Sequence, residues 1–180
     1  MDHVSGAENA GLTIVKYGCY QCPYSGQAHR LIRTIQQRLG QHVRLVFRHF
    51  PQIDLHPQAQ KAAEVAEAAA AQGKFWQMHN LLFERQQALS DGCLVEYAAE
   101  LGLEMSHFLK DVSGHVYEQR VQADLFSGIR MGVTCTPTLF INGIRQNGDD
   151  SLLQLLTVVI DACDPPLNKA RTDTLPIFPE

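Results

Sequence analysis

The sequence predicts an α/β fold, a mixed four-stranded sheet laid down as β-α-β and then, after a block of helices, as β-β-α. Three observations carry this. A β-branched run closed by a glycine leads through a proline into a helical pattern and then a second alternating run; residues 51–132 keep a helical period; and Asn142-Gly143 separates two short apolar segments.

Leu12-Thr-Ile-Val-Lys-Tyr17 ends at Gly18 and reads as a strand buried in mid-sheet. Pro23 stands where a helix begins, and Ala28, Leu31, Ile32, Ile35 and Leu39 recur at helical spacing until Gly40. Val43, Leu45 and Phe47 alternate with Arg44, Val46 and Arg48, giving a second strand that the βαβ rule makes parallel to the first. Beyond Pro51, Ala59, Ala62, Ala63, Ala66 and Ala70 form a small-residue stripe. Further helical faces follow at Phe75, Met78 and Leu82, at Leu94 to Leu101, at Phe108 to Val112, and at Tyr117 to Ile129. Trp76 and the other aromatic positions in this block read as core. Thr138–Ile141, Asn142-Gly143 and Ile144–Asn147 predict a hairpin, because Asn-Gly supplies the positive φ angles of a two-residue turn. Ser151 can cap a last helix carrying Leu152, Leu155, Leu156 and Val159. The expected division is a core of residues 12–50 and 133–162, a helical insert of 51–132 and a Pro-rich tail of 163–180. This order of elements resembles the thioredoxin core with an inserted helical subdomain.

With 180 residues, 45% of them apolar, the chain has material for one buried core, and disorder is excluded for its bulk. Lys and Arg number 15 against 19 Asp and Glu, a net charge of −4, and no basic run breaks the balance. Nucleic acid and anionic membrane are therefore not expected partners. Met1 to Gly11 has neither a basic start nor an apolar run, and no later stretch is long enough to span a bilayer, so a cytoplasmic location is expected. The oligomeric state is not legible. Five cysteines, Cys19, Cys22, Cys93, Cys135 and Cys163, are an odd number in a chain too large to need disulfide staples.

Cys22 lies where the first strand's loop enters the first helix. Unpaired backbone N–H groups and the positive end of the helix dipole favour a thiolate there, and the thiolate is the nucleophilic form. Pro23 fixes φ and removes a donor that would otherwise be orphaned. Thr136-Pro137 stands just ahead of the hairpin, where a strand start tolerates proline. Composition alone favours a trans bond there.

Tyr17-Gly-Cys-Tyr-Gln-Cys-Pro-Tyr-Ser-Gly26 resembles the Tyr-Gly-Asp-Tyr-Glu-Cys-Pro-Tyr-Cys-Gly segment of the DsbA-like thioredoxin-fold family. Arg44-Leu-Val-Phe-Arg-His-Phe-Pro51, Gly73-Lys-Phe-Trp-Gln-Met-His79 and Thr136-Pro-Thr-Leu-Phe-Ile-Asn-Gly143 are similar to that family too, in the same order. The resemblance implies a thiol–disulfide oxidoreductase with Cys22 as exposed nucleophile. It also implies a cis-proline at Pro137 facing Cys22, and substrate contacts from Pro23, Tyr24 and the backbone of Thr136.

Three positions depart from the family pattern. Its second cysteine falls on Ser25, its usual Asp on Cys19 and its usual Gly on Cys135. A serine hydroxyl can hydrogen-bond a thiolate but cannot attack a mixed disulfide, so Ser25 supports Cys22 and another sulfur must resolve it. Cys19, Cys135 and an outside thiol such as glutathione, acting as co-substrate, are the candidates. Cys19 stands on the strand side of the loop, where the two sulfurs can point apart. Cys93 and Cys163 read as packing residues. The Cys-x-x-Cys spacing of Cys19 and Cys22 does not by itself point to zinc, because no second ligand pair stands at matching spacing. His49, His56 and His79 read as core or surface imidazoles. Arg44 and Arg48 could hold the carboxylates of an anionic thiol if their face opens toward the site. The first reading is an enzyme acting through the single thiolate of Cys22 on protein or glutathione mixed disulfides. A second rests on the similarity of Cys-Pro-Tyr-Ser to the Ser-Pro-Tyr-Ser segment of kappa-class glutathione transferases, with Ser25 or the loop binding glutathione. A third is a non-catalytic redox sensor or peptide-binding module.

Overall fold

In the computed structural model, which describes residues 2–146, the chain opens on a strand that the sequence pattern does not announce, β1 (His3–Ser5). It is followed by β2 (Leu12–Gly18), α1 (Pro23–Leu39), a 3₁₀ turn at Gly40–His42 and β3 (Val43–His49). The helices α2 (Ala59–Ala71), α3 (Phe75–Glu84), α4 (Asp91–Glu100), α5 (Met105–Ser113) and α6 (Glu118–Arg130) come next. The hairpin of β4 (Thr138–Ile141) and β5 (Ile144–Gln146) closes the described chain. The helix expected from Ser151, Cys163 and the tail lie outside the described residues.

Among the described residues the sheet has five strands rather than four, in the order β1-β3-β2-β4-β5. β2 and β3 run parallel from Leu12 opposite Val43 to Gly18 opposite His49, and β4 is antiparallel to β2. The added strand is antiparallel to β3. Only three residues long, β1 has no alternation to read. Tertiary partners hold it: the His3 ring stacks on Phe75 with centroids 3.4 Å apart, and Trp76 Nε1 donates to Val4 O at 3.2 Å. Asn142 and Gly143 take φ of 47° and 81°, the two positive angles that the hairpin turn needs. Asn142 Oδ1 also accepts the Thr13 N–H at 2.8 Å, fastening the turn to the start of β2.

One sheet face packs Ile14, Leu45, Leu139 and Ile141 against Ile32 and Ile35 of α1. The helices between β3 and β4 do not bury a separate core. Ala62, Ala66 and Ala69 of α2 and Met78 and Leu82 of α3 share one cluster with Phe47 of β3 and Tyr20 of the β2–α1 loop. Burying Phe47 completely contributes about 2–3 kcal/mol, and it also fixes Tyr20, the loop residue whose ring is tilted against it.

Candidate active site

The β2–α1 loop places a cysteine directly before a helix. Cys22 is the N-cap of α1 in an extended conformation (φ −77°, ψ 120°), with Pro23 opening the first turn and no side chain capping it. The turn is drawn tight by Cys22 N–H donating to Cys19 O and Gly26 N–H to Cys22 O, both at 3.2 Å. Opposite, the Thr136–Pro137 peptide is cis, and the Cys22 thiol donates to Thr136 O at 3.2 Å. Strand β4 thus carries the proline loop onto the helix start.

The Cys22 residue is 4% exposed, while Pro23, Tyr24 (64% exposed) and Cys135 stand open around it. The loop after β3 joins this rim through Gln52, whose Oε1 accepts the Thr136 hydroxyl at 2.7 Å, and presents Ile53 and Leu55 to solvent. Gln21 Oε1 accepts the Gln58 N–H at 2.8 Å and ties the β2–α1 loop to the start of α2.

Ser25 does not cap the sulfur. It is fully buried, and its hydroxyl oxygen accepts the Cys19 N–H at 3.3 Å. Cys19 is buried too, in a small cluster with Cys22 and Ala59, and burial pushes its thiol pKa up. The described cysteines are all free thiols. Cys93 is half-buried and accepts from the Ser90 hydroxyl. Arg48 is engaged elsewhere, ion-paired with Asp2 at 2.9 Å and donating to Tyr17 Oη, so it is not held for a thiol ligand.

Three supports escape a reading of the sequence. Lys16, in the middle of β2, is buried, and its Nζ donates to Ser25 O at 2.9 Å beneath the first turn of α1. Gln86, from the loop after α3, donates through Nε2 to Tyr20 O at 2.6 Å and Cys22 O at 2.9 Å. Gly26 makes room for it, because a Cβ there would lie 2.0 Å from Gln86 Oε1. Gln86→Ala strips both loop carbonyls of this donor and is expected to cost about 1–3 kcal/mol in a urea unfolding titration. An unchanged midpoint would mean that other donors, water included, serve these carbonyls.

Away from the thiol, the ligand atoms of His3, His49 and Glu67 lie within 4.8 Å of one another. Both imidazole Nε2 atoms meet Glu67 Oε1, at 2.8 and 2.9 Å, and Arg120 Nε stands 3.7 Å from the same oxygen. A guanidinium already serves this carboxylate, so the trio reads as a buried ion-pair network tying β1 and β3 to α2. His79 is likewise a core imidazole, 2.9 Å from Tyr20 Oη.

A mixed sheet, a cysteine heading the first helix and a cis-proline loop laid across it define the class of thioredoxin-fold thiol proteins. The family model described as "Thioredoxin" matches residues 1–161, and the chain belongs to that family. Its fold is shared with BdbD from Bacillus subtilis (TM-score 0.78, 19% identity, 89% of this chain and 91% of that one). Alpha-DsbA1 from Wolbachia pipientis also shares it (TM-score 0.75, 21% identity, 89% of each chain). Among curated proteins, the chain is 40% identical over 161 residues to "Na(+)/H(+) antiporter NhaA 3" of Salinispora tropica. That match takes in 89% of this chain and 24% of the relative. A similar relative, "Na(+)/H(+) antiporter NhaA" of Herminiimonas arsenicoxydans, is 38% identical over 162 residues, 90% of this chain and 25% of that one. The chain therefore spans about a quarter of the length of these relatives. No helix among the described residues is long and apolar enough to cross a membrane.

Proposed function

We propose that this chain is a thiol–disulfide oxidoreductase working through one principal thiolate, Cys22, on protein disulfides or glutathione mixed disulfides. The observation that carries the reading is the Cys22 sulfur at the head of α1, 3.2 Å from the carbonyl of Thr136 on the cis-proline loop. An extended peptide laid against Thr136 presents its sulfur to that of Cys22, and exposed Tyr24, Ile53 and Leu55 offer an apolar rim for its side chains. The thiolate attacks one sulfur of the bound disulfide, the S–S bond breaks, and the other sulfur leaves as a thiolate. A mixed disulfide on Cys22 remains.

Ser25 cannot resolve it. Cys19 packs against Cys22, but its raised thiol pKa leaves little thiolate to attack with, while Cys135 is exposed beside Thr136. An external thiol such as glutathione is the resolving partner we favour, which suits a reducing, cytoplasmic setting. Burial of Ser25 removes its hydroxyl from the transferase reading and leaves that reading only the loop to bind glutathione. Ion antiport, named in relatives of about four times this chain's matched length, is not part of the proposal.

Treatment with glutathione disulfide, alkylation of the remaining thiols and mass mapping tests the reading. One glutathione is expected on Cys22, removable by added thiol. An adduct on Cys135 with Cys22 untouched overturns the proposal. Ser25→Cys puts a second sulfur one helical turn from Cys22 and is expected to release bound glutathione at least about tenfold faster at a fixed external thiol concentration, because the attack becomes intramolecular. The rate of glutathione release from the preformed adduct measures it.

A further inference from the structure

Lys16 is the charged side chain that the mechanism above leaves unused, and its surroundings are unusual for a cation. The residue is 1% exposed. Its Nζ donates to Ser25 O at 2.9 Å and lies 4.0 Å from the centre of the Phe83 ring and 5.7 Å from that of Phe47. No carboxylate pairs with it among the described residues. The imidazoles that face it, His29 of α1 and His79 of α3, are held neutral by burial, with the Lys16 charge adding to the effect; His29 is pushed down to about 3 and His79 well below its ordinary value. In the surrounding layer, Tyr20 is buried and pushed well above its ordinary value, and His49 is occupied by Glu67. Cys19, the other loop thiol, is pushed up by burial. The group that can offer Lys16 a negative charge is Cys22.

Conversely, Cys22 needs a positive charge. Its thiol donates to Thr136 O, so ionisation removes that hydrogen bond and turns the sulfur's charge toward a carbonyl oxygen. The unpaired N–H groups at the start of α1 offset part of this cost. The Lys16 amine is bound to the carbonyl of Ser25, three residues further along the same turn.

Resting on the reading of Cys22 as nucleophile, we infer that Lys16 and Cys22 share one proton, so that the pair is either thiol with neutral amine or thiolate with ammonium. A buried ammonium without a counter-charge is costly, and the same holds for a buried thiolate. Burial pushes the Lys16 pKa down to about 7 and the charge of Cys22 opposes that shift, which agrees with such coupling. The chemistry balances through one cycle. The thiolate of Cys22 attacks R–S–S–R′, the Cys22–S–S–R bond forms, and R′–S⁻ leaves. Lys16, now without a counter-charge, gives up its proton, which converts R′–S⁻ to R′–SH and leaves a neutral amine. When an external thiol reduces the mixed disulfide, its proton returns to Lys16 and Cys22 is released as thiolate. Lys16 is thus a positioning residue for charge, acting through Cys22.

Alkylation of Cys22 by iodoacetamide, mapped by mass across a pH series, tests this without any disulfide substrate. Lys16→Met is expected to slow the reaction at pH 7 at least about tenfold and to move the profile toward higher pH. Superimposable profiles overturn the inference. A Cys22 that resists alkylation in the unaltered protein overturns instead the proposed activity on which it rests. The reciprocal measurement does not depend on Lys16→Met folding: the side-chain ¹³C resonance of Lys16 is followed with pH in the unaltered protein and in Cys22→Ser. Loss of the thiol is expected to lower the lysine's titration midpoint. An unmoved midpoint overturns the pairing.

Discussion

Cys22→Ser is expected to reduce disulfide exchange by at least about a thousandfold, to the rate of free thiol in solution, while leaving the fold in place. Exchange proceeds by sulfur attacking sulfur, and a serine hydroxyl is neither ionised near neutral pH nor able to form the mixed disulfide. The structural change is small. The thiol donates to Thr136 O at 3.2 Å, and a hydroxyl in its place donates to the same carbonyl, so stability should change by no more than about 1 kcal/mol. Loss of activity therefore separates from loss of structure. Cys19→Ala and Cys135→Ser are expected to change the rate less than about threefold when glutathione resolves the intermediate. Reduction of a glutathione mixed disulfide, followed by the thiol released, measures all three. A Cys19→Ala protein as inactive as Cys22→Ser would move the resolving step inside the chain, and an active Cys22→Ser would remove this thiol from the mechanism.

The frame of this site is legible in residue order, because β2, α1, β3 and the hairpin each carry a local signal: a β-branched run, a proline start with helical spacing, an alternation, an Asn-Gly pair. What escapes is whatever tertiary packing decides. As a lysine, Lys16 reads as a solvent-facing residue, yet it shares the face of β2 that carries Leu12 and Ile14, and the first turn of α1 covers it. Ser25 reads as a donor to the thiolate. In the fold its oxygen is spent on the Cys19 N–H, since that backbone group would otherwise be buried without a partner. Gln52 and Gln86 look like ordinary loop polars, and only the close approach of their loops turns them into braces of Thr136 and Cys22. The cis bond at Pro137 is legible only through family resemblance, since nothing local in Thr-Pro distinguishes cis from trans. β1 and Glu67 belong to the same group: a three-residue strand and an acid inside an alanine stripe acquire meaning only from each other's position.

Glu67 is where acid should act on this fold. Burial by itself pushes its carboxyl pKa up, but hydrogen bonds with His3 and His49, and the charges those imidazoles carry when protonated, outweigh burial and hold it well below the ordinary value of 4.5. With the folded value depressed, the unfolded chain binds the proton more readily, so the network's contribution is fully present above about pH 4.5 and is lost as pH falls toward the folded value. Glu67→Gln removes the charge while keeping the shape, leaving Arg120 and two imidazoles around a neutral amide. A loss of about 3 kcal/mol at neutral pH is expected, the usual consequence of deleting one partner from a buried ionic network. The two proteins should then converge in acid, because protonation does to the native carboxyl what the substitution has already done. Urea unfolding of both at a series of pH values checks this: a stability gap that shrinks below about pH 4.5 supports the network's role in clasping β1 and β3 to α2. A gap that stays constant into acid would assign the loss to packing alone.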